Sequence, residues 1–441
     1  MNTLSRLIFR SSRSQFLWCV FIAALVIRIV IVISFGNAEH PQMYEHGDIA
    51  NNLYQGNGYT MHWPYESLDS VRRAVMSKPP DHEGAFIPPI NPYLIYGSYL
   101  LFGQTPAAIT SLMLFYAICS ALVIPVVYQS SRLLSTESGA RWCSIISTLF
   151  LPAAYSVTTF SGSPLYHLFG ALIVLFAIRV IQFSQLSNVI LLGVCCGMMT
   201  LLRSEFFLLS FLLIALVVFY SRQKYSFSQK LKMLVVSAGV CMLIITPWTV
   251  RNYKLFDRFV PVLSHPWFEI WRGNNAEVAS GSLFSKETYV WVNPMQFPEI
   301  IKKMDATAYD RFFEVRVNDI FQASALEFMK ANPGKVLFLG AKKIFYLLTI
   351  DMADPSVRNS IYILSMLVVI PLTLFGLYKI ITSKERRAEG MLFLLLFGYY
   401  LVITAVTFSL PRYQIYLFVL LMPLMGMVLA EKPTRSILDH G

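Results

Sequence analysis

Charged residues are scarce in this sequence, and acidic residues are scarcer than basic ones. Asp, Glu, Lys and Arg together make up 14% of the 441 residues, about half the fraction found in soluble domains. Hydrophobic residues account for 56%, and several apolar runs approach the roughly 20 residues that cross a bilayer as a helix. These proportions exclude an ordinary soluble domain. We predict an all-α polytopic membrane protein with about 10 transmembrane helices.

Cysteine pairs and metal-ligand spacings are also lacking. The six cysteines lie in or beside apolar runs and form no CxxC pattern; they are Cys19, Cys119, Cys143, Cys195, Cys196 and Cys241. We therefore expect small buried side chains, without a disulfide framework or a zinc site. Four of the seven histidines lie in one predicted loop, at spacings that match no standard zinc motif. Neither a metal ion nor another cofactor is expected.

The positive charge follows from the membrane topology. The 36 basic residues exceed the 25 acidic ones and give a formal net charge of +11. No basic groove with interleaved aromatic residues is present, so nucleic acid is not predicted as a partner. Much of the charge lies in short loops between apolar runs, as the positive-inside rule describes. On that rule both termini and the loops near 132–141, 222–232 and 384–387 are cytoplasmic.

The predicted spans follow the apolar runs. The first, near 16–35, follows three arginines and is long enough to cross, so we expect an uncleaved first helix and no cleaved signal peptide. The others lie near 107–128, 142–159, 165–183, 189–202, 206–220, 233–246, 360–380, 391–409 and 413–429. Arg28 lies in the outer half of the first span, and we expect its long side chain to extend to the interface.

Two longer segments are expected on the outer face. Residues 37–105 form the first outer loop, which ends in a short apolar helix at the membrane interface. Residues 247–354 are less apolar and are predicted to form a small extracytoplasmic subdomain that ends in a second interfacial helix. The chain thus divides into an N-terminal transmembrane module (1–246), this subdomain, and C-terminal transmembrane helices (355–441).

The first outer loop carries two carboxylates, Glu45 and Asp48, one helical turn apart on a predicted short helix. A carboxylate at a water-accessible site can accept a proton from an attacking hydroxyl. We favour Glu45 as the catalytic base, with Asp48 second and the neighbouring Tyr44 as a substrate contact. The alternative interpretation is that either carboxylate only stabilises the start of a helix through the helix dipole.

Three arginines are predicted on the same outer face: Arg203, Arg251 and Arg412. Ionisable residues at this depth cost a few kcal/mol unless they are paired or line a wet cavity, so we predict a polar cavity there. The flat guanidinium fork suits phosphate oxygens, and Glu205 and Asn252 are further candidates for substrate binding. Alternatively, Arg251 and Arg412 extend to the interface as structural residues, and Arg203 with Glu205 is a local structural pair.

Four motifs, in this order, resemble the GT-C superfamily of integral-membrane glycosyltransferases, in the branch of family 39 and the protein mannosyltransferases. They are YEHGDIANNL at 44–53 with Gly56 and Gly58; PPINPYL at 88–94 ending in LFG at 101–103; TPWTVRNY at 246–253 with FVP at 259–261 and GNN at 273–275; and LPRY at 410–413. The resemblance implies a GT-C fold and a polyprenyl-phosphate sugar as donor. It also implies an acidic residue of the first outer loop, here Glu45 or Asp48, as the base of an inverting, metal-independent displacement.

The leading hypothesis is therefore a glycosyltransferase of the plasma (inner) membrane. It would move a sugar from a polyprenyl-phosphate lipid to an extracytoplasmic acceptor, either a glycan, a lipid or a protein. One alternative is a transporter or flippase of lipid-linked glycans, which would be expected to have two similar halves and polar groups near mid-membrane. Another is a polymerase or ligase of lipid-linked glycans.

Overall fold

The computed structural model describes residues 11–61, 83–278, 297–308, 310–352 and 354–430. The polar insert predicted after Tyr59, which includes His62 and His82, lies mostly outside this part of the chain. The described residues are helical and contain no β-strand. The predicted all-α polytopic fold is confirmed.

The helices of the N-terminal half include two short ones between the first two long ones. They are α1 (Arg13–Phe35), α2 (Tyr44–Tyr54), α3 (Ile90–Phe102), α4 (Pro106–Leu134), α5 (Glu137–Thr148), α6 (Leu151–Tyr155), α7 (Ser163–Phe183), α8 (Leu186–Leu202), α9 (Phe206–Phe219) and α10 (Phe227–Phe256). A 3-10 turn, Ser156–Thr158, follows α6. The turn predicted after α2 is present, because Gly56 and Gly58 take φ values of 82° and 75°, which glycine adopts without steric cost.

The second half begins with short helices and returns to long apolar ones. They are α11 (Pro266–Gly273), α12 (Pro298–Asp305), α13 (Phe313–Ala331), α14 (Pro333–Leu348), α15 (Ser360–Thr382), α16 (Arg387–Val406), α17 (Pro411–Leu421) and α18 (Met425–Leu429). The 3-10 turns are Pro355–Val357, Lys384–Arg386 and Met422–Leu424. Helices α11 to α14 occupy the segment predicted as the extracytoplasmic subdomain.

Seven helical segments of the described chain are long and apolar enough to cross a membrane, and two further apolar helices, α8 and α9, are shorter. The prediction of one span over 142–159 is wrong, because this segment is divided between α5 and α6. Pro152 lies in the first turn of α6, where its ring cannot donate a hydrogen bond to the preceding turn and would clash with the carbonyl of Thr148. The helix therefore breaks between Thr148 and Leu151.

The structure corrects two further expectations from the sequence. Helix α10 continues through Pro247 to Phe256, so Arg251 lies on its last turns and not in a loop after it. Arg28 does not reach the interface: its side chain is 1% exposed and its Nε donates to Ser120 Oγ on α4 at 2.8 Å. Because Ser120 supplies a polar partner inside the bundle, the Arg28 guanidinium does not need to extend to the membrane interface.

The basic loops predicted on one side of the membrane do meet at one end of the bundle. Arg222, in the loop after α9, forms an ion pair at 2.7 Å with the buried Glu389 on α16. Arg386 in the adjacent loop donates to the carbonyl of Leu133, at the end of α4, at 2.9 Å. The residues considered next lie at the opposite end.

Candidate functional site

Arg203 and Glu205 form the first part of the site, in the turn between α8 and α9. The Nε and Nη2 atoms of Arg203 both lie 2.8 Å from Glu205 Oε1. The side chains are 17% and 22% exposed, so the pair is partly shielded from water. Tyr399 of α16 donates from its hydroxyl to the Glu205 carbonyl at 2.6 Å and holds the turn in place. This is the local pair foreseen as one interpretation of the sequence.

Three tyrosine rings surround the Arg203 guanidinium. Its central carbon lies 5.1 Å from the ring centre of Tyr413, 5.3 Å from that of Tyr416 and 5.8 Å from that of Tyr166. Cations are attracted to the faces of aromatic rings at such distances. The rings come from α7 and α17, so these two helices and the turn that carries Arg203 together place its side chain.

Arg412 shares one of these rings. Its guanidinium carbon lies 5.4 Å from the centre of the Tyr413 ring, and its side chain is exposed. Within the described part of the chain, Arg412 has no ion pair. It occupies the first turn of α17, which begins at Pro411, where the free N–H groups of a helix favour anions. Arg412 is therefore the arginine best placed to take an external anion.

His46 of α2 lies near these two arginines. Burial and, to a smaller extent, the positive charges of Arg412 and Arg203 lower the pKa of the His46 imidazole to about 3. The ring is therefore neutral near pH 7. Its Nδ1 atom is buried and has no hydrogen-bond partner in the described structure. Sequence reasoning considered His46 only as a metal ligand, although its place inside the YEHGD motif was a signal for a site residue.

We call His46, Tyr166, Arg203, Arg412, Tyr413 and Tyr416 the arginine–tyrosine cluster. The Tyr166 hydroxyl is a second buried polar atom without a partner in the described structure. Buried polar groups are nearly always hydrogen-bonded, so each exception calls for an explanation. Two such atoms beside two cations indicate a place for a polar ligand.

The predicted carboxylates lie on the helix that carries His46. Glu45 is in the first turn of α2 and half-buried, whereas Asp48 and Tyr44 are exposed. Tyr44 opens the helix with a φ of 46°, a left-handed conformation that is costly for a bulky residue. Among described residues, Glu45 makes no hydrogen bond or ion pair. The structure thus places the predicted base next to His46 and leaves its carboxylate available.

Arg251 lies in a different set of contacts. Its Nη2 forms an ion pair with Glu83 at 2.7 Å, and Nη1 donates to the carbonyl of Gly84. Its guanidinium carbon lies 4.6 Å from the centre of the Trp248 ring. Asn252 is fully buried and donates to the carbonyls of two loop residues at 3.1 Å each. No described contact joins this pair to the arginine–tyrosine cluster.

A basic pair that the sequence analysis missed extends the cluster on its other side. The Arg272 guanidinium lies 5.4 Å from the ring centre of Phe408, which stacks on Tyr413 at 5.7 Å. Lys343 is fully buried and donates to the carbonyl of Ala405 at 3.1 Å. Burial lowers the pKa of the Lys343 amine to about 7. The only signal in the sequence was the Gly-Asn-Asn motif beside Arg272.

No group of three His, Cys, Asp or Glu side chains that could hold a metal ion occurs in the described part of the chain. The described site is instead made of arginines, tyrosines, one histidine and one available carboxylate. Such a site can bind an anion, polarise a bond to it and accept a proton.

The comparisons with known proteins agree with this architecture. Residues 87–250 match the model of the family Dolichyl-phosphate-mannose-protein mannosyltransferase. The structure aligns with the oligosaccharyltransferase of Archaeoglobus fulgidus with a TM-score of 0.53 at 13% identity, covering 95% of this chain and 49% of that chain. The fold of this chain is therefore similar to that of the archaeal oligosaccharyltransferase. Apo ArnT from Cupriavidus metallidurans aligns at a TM-score of 0.42 and 15% identity over 95% of this chain and 78% of that one.

The family model covers one part of the candidate site. This chain spans about half the length of the archaeal oligosaccharyltransferase, and no curated protein sequence matches it significantly. The segment matched by the family model contains Arg203 and Glu205. The helix with Glu45 and the hairpin with Arg412 lie outside that segment, so their roles rest on the geometry.

Proposed function

We propose that this protein transfers a sugar from a polyprenyl-phosphate lipid to an extracytoplasmic acceptor. The observation that carries the proposal is the position of Glu45, an available carboxylate one residue from His46, which lies near Arg203 and Arg412. A base and an anion-binding cluster within one site are what displacement of a phosphate from a sugar requires.

The arginines act on the lipid phosphate. In the displacement, an acceptor hydroxyl attacks the anomeric carbon, and the bond from that carbon to the phosphate oxygen breaks with its electrons going to the phosphate. Negative charge therefore increases on the leaving group. Arg412 binds this phosphate with its free donors, and Arg203 adds positive charge from behind the Tyr413 ring.

Glu45 takes the proton of the acceptor hydroxyl during this attack. Attack from the face opposite the phosphate gives an inverting reaction without a metal ion. Asp48 is exposed on the same helix, one turn further on, and is proposed to assist at the acceptor side together with Tyr44. His46, as a neutral ring, and the Tyr166 hydroxyl offer hydrogen bonds to the sugar.

Two observations support the donor and acceptor classes. The matching family is described by its dolichyl-phosphate-mannose donor, a sugar on a lipid phosphate. The archaeal relative was solved with a tethered acceptor peptide, so acceptors outside the lipid class occur in this superfamily. The basic loops at the opposite end of the bundle favour a plasma (inner) membrane orientation with the site and acceptor outside and both termini inside.

In this proposal three of the predicted site residues have structural roles and do not contact the donor; they are Arg251, Asn252 and Glu205. Arg251 would have to leave its ion pair with Glu83 to contact a donor, so the phosphate is assigned first to Arg412 and Arg203. Glu205 holds Arg203, and Asn252 holds the loop after α10.

The deciding experiment measures transfer from a radiolabelled polyprenyl-phosphate sugar by the purified protein in detergent or liposomes. Glu45→Gln should abolish transfer, while Glu39→Gln, an exposed carboxylate of the same loop, should leave it unchanged. Asp48→Asn tests whether the second carboxylate is needed. Full transfer by the Glu45→Gln variant would refute the assignment of the base. Lipid translocation without bond cleavage by the wild type would identify a flippase instead.

A further inference from the structure

A small cavity lies inside the helical bundle, apart from the arginine–tyrosine cluster. Its polar lining consists of Arg28 from α1, Ser120 from α4, Ser147 from α5 and His167 from α7. The remaining lining residues are apolar and include Val419 of α17. Four of these five helices, all except α5, belong to candidate membrane spans, so the cavity lies where bulk water does not supply partners.

Arg28 brings a positive charge that no acidic side chain balances within the described residues. It is 1% exposed; its Nε donates to Ser120 Oγ at 2.8 Å and its Nη1 to the carbonyl of Ala24 at 3.0 Å. None of the ion pairs within the described residues includes Arg28. A buried cation in this setting is costly unless an opposite charge accompanies it.

His167 is the second unusual member of the lining. It is 2% exposed, and both of its ring nitrogens are buried without a hydrogen-bond partner among the described residues. Each such atom costs free energy because it has lost its water without replacement. The side chain lines the same cavity as Arg28, so one bound species can satisfy both.

The free groups of the cavity are mainly donors. Ser147 already donates to the carbonyl of Cys143 at 2.8 Å. The hydroxyl hydrogen of Ser120, the N–H of a neutral His167 and the second terminal nitrogen of Arg28 have no acceptor in the described structure. Among the described lining side chains, the other nitrogen of His167 is the one free acceptor, compared with these three donors. A donor-rich cavity beside an unbalanced cation selects a negatively charged occupant over water.

We propose that this cavity binds one small monovalent anion, chloride, held by Arg28, Ser120 and His167. The anion neutralises Arg28 and joins α1, α4 and α7 from within. It also supports the arginine–tyrosine cluster, because the His167 ring centre lies 5.4 Å from that of Tyr416. The anion takes no part in the transfer reaction itself and has a stabilising role.

Bromide, which replaces chloride in most such sites and scatters anomalously, tests the site in the wild-type protein. Crystals grown in sodium bromide should show one anomalous peak within about 3.5 Å of both the Arg28 guanidinium and the His167 ring. A water molecule in the cavity with no anomalous peak would overturn the proposal.

Thermal unfolding gives a second test. At constant ionic strength, replacing gluconate by chloride should raise the Tm of the wild type by at least about 2 °C, because a ligand that binds only the folded state stabilises it. Arg28→Met should abolish this rise. Arg179→Met is the matched control on α7, since Arg179 donates to Gln129 at 2.8 Å and does not line the cavity; it should keep the rise. If Arg28→Met does not fold, His167→Leu takes its place, and a wild-type Tm that is the same in both salts contradicts the proposal.

Discussion

Arg203 and Arg412 approach the same tyrosine: their guanidinium carbons lie 5.1 and 5.4 Å from the ring centre of Tyr413. The two positive charges repel each other. The Arg203 charge is balanced by Glu205 at 2.8 Å, while Arg412 has no such partner in the described structure. The ring thus links an arginine that is already paired to one that can take an anion.

Arg412→Ala should lower the transfer rate by about 10²-fold, because a positioned donor to developing charge contributes on that order. Arg412→Lys keeps the charge but loses the planar fork, so we expect an intermediate rate. The measurement is initial velocity against concentration of the lipid-linked donor. Arg258→Ala is the control, since Arg258 pairs with the exposed Asp319 at 2.8 Å; equal losses in Arg258→Ala and Arg412→Ala would contradict the assignment.

His46 should contribute to acid sensitivity. Its folded-state pKa is about 3, below the 6.5 expected in the unfolded chain. The unfolded state therefore binds more protons between these values, and stability is lost as the pH falls through this window. His46→Asn should show a smaller drop in Tm between pH 7 and pH 4 than the wild type.

The control for this change is His40→Asn, since His40 is an exposed histidine of the same loop. It should keep the wild-type pH dependence. A drop in the Tm of His46→Asn as large as that of the wild type would show that the imidazole is not held neutral by its surroundings.

Arg251 and Glu83 should behave as a structural pair. Both Arg251→Met and Glu83→Gln remove the 2.7 Å contact and should lower the free energy of unfolding by about 1 kcal/mol each, as expected for a partly exposed pair. Combining the two changes should cost little more than either alone. The measurement is Tm together with transfer rate. A loss of transfer confined to Arg251→Met would instead support contact with the donor phosphate.

Gly273 should not tolerate a side chain. A Cβ added there would lie 1.5 Å from the backbone oxygen of Thr407, so Gly273→Ala must displace α11 from the end of α16. We expect a large loss of folded protein by size-exclusion chromatography. Gly334→Ala is the matched control on α14, where an added Cβ meets nothing within 4 Å; aggregation of both variants would show that the close approach is not the cause.

Several features of the site could be predicted from the sequence. The YEHGD segment forms a helix with Glu45 in its first turn, and Arg203 does pair with Glu205 two residues away. These are short-range features, determined by neighbouring residues. His46 and Lys343 were missed as site residues because, apart from the YEHGD motif around His46, nothing close in sequence distinguishes a histidine or lysine that packs into the site from an exposed one.

The sequence by itself determines most of the membrane helices and the end of the bundle at which basic loops collect, because apolar length and loop charge are local properties of the chain. Only the tertiary structure decides which arginines have a hydrogen-bond or ion-pair partner. Arg28 meets Ser120 across 92 positions, and Arg251 meets Glu83 across 168. Helix packing determines these partners, so the same residue type becomes a buried cation, a structural link or, in Arg412, a cation without an ion pair in the described structure.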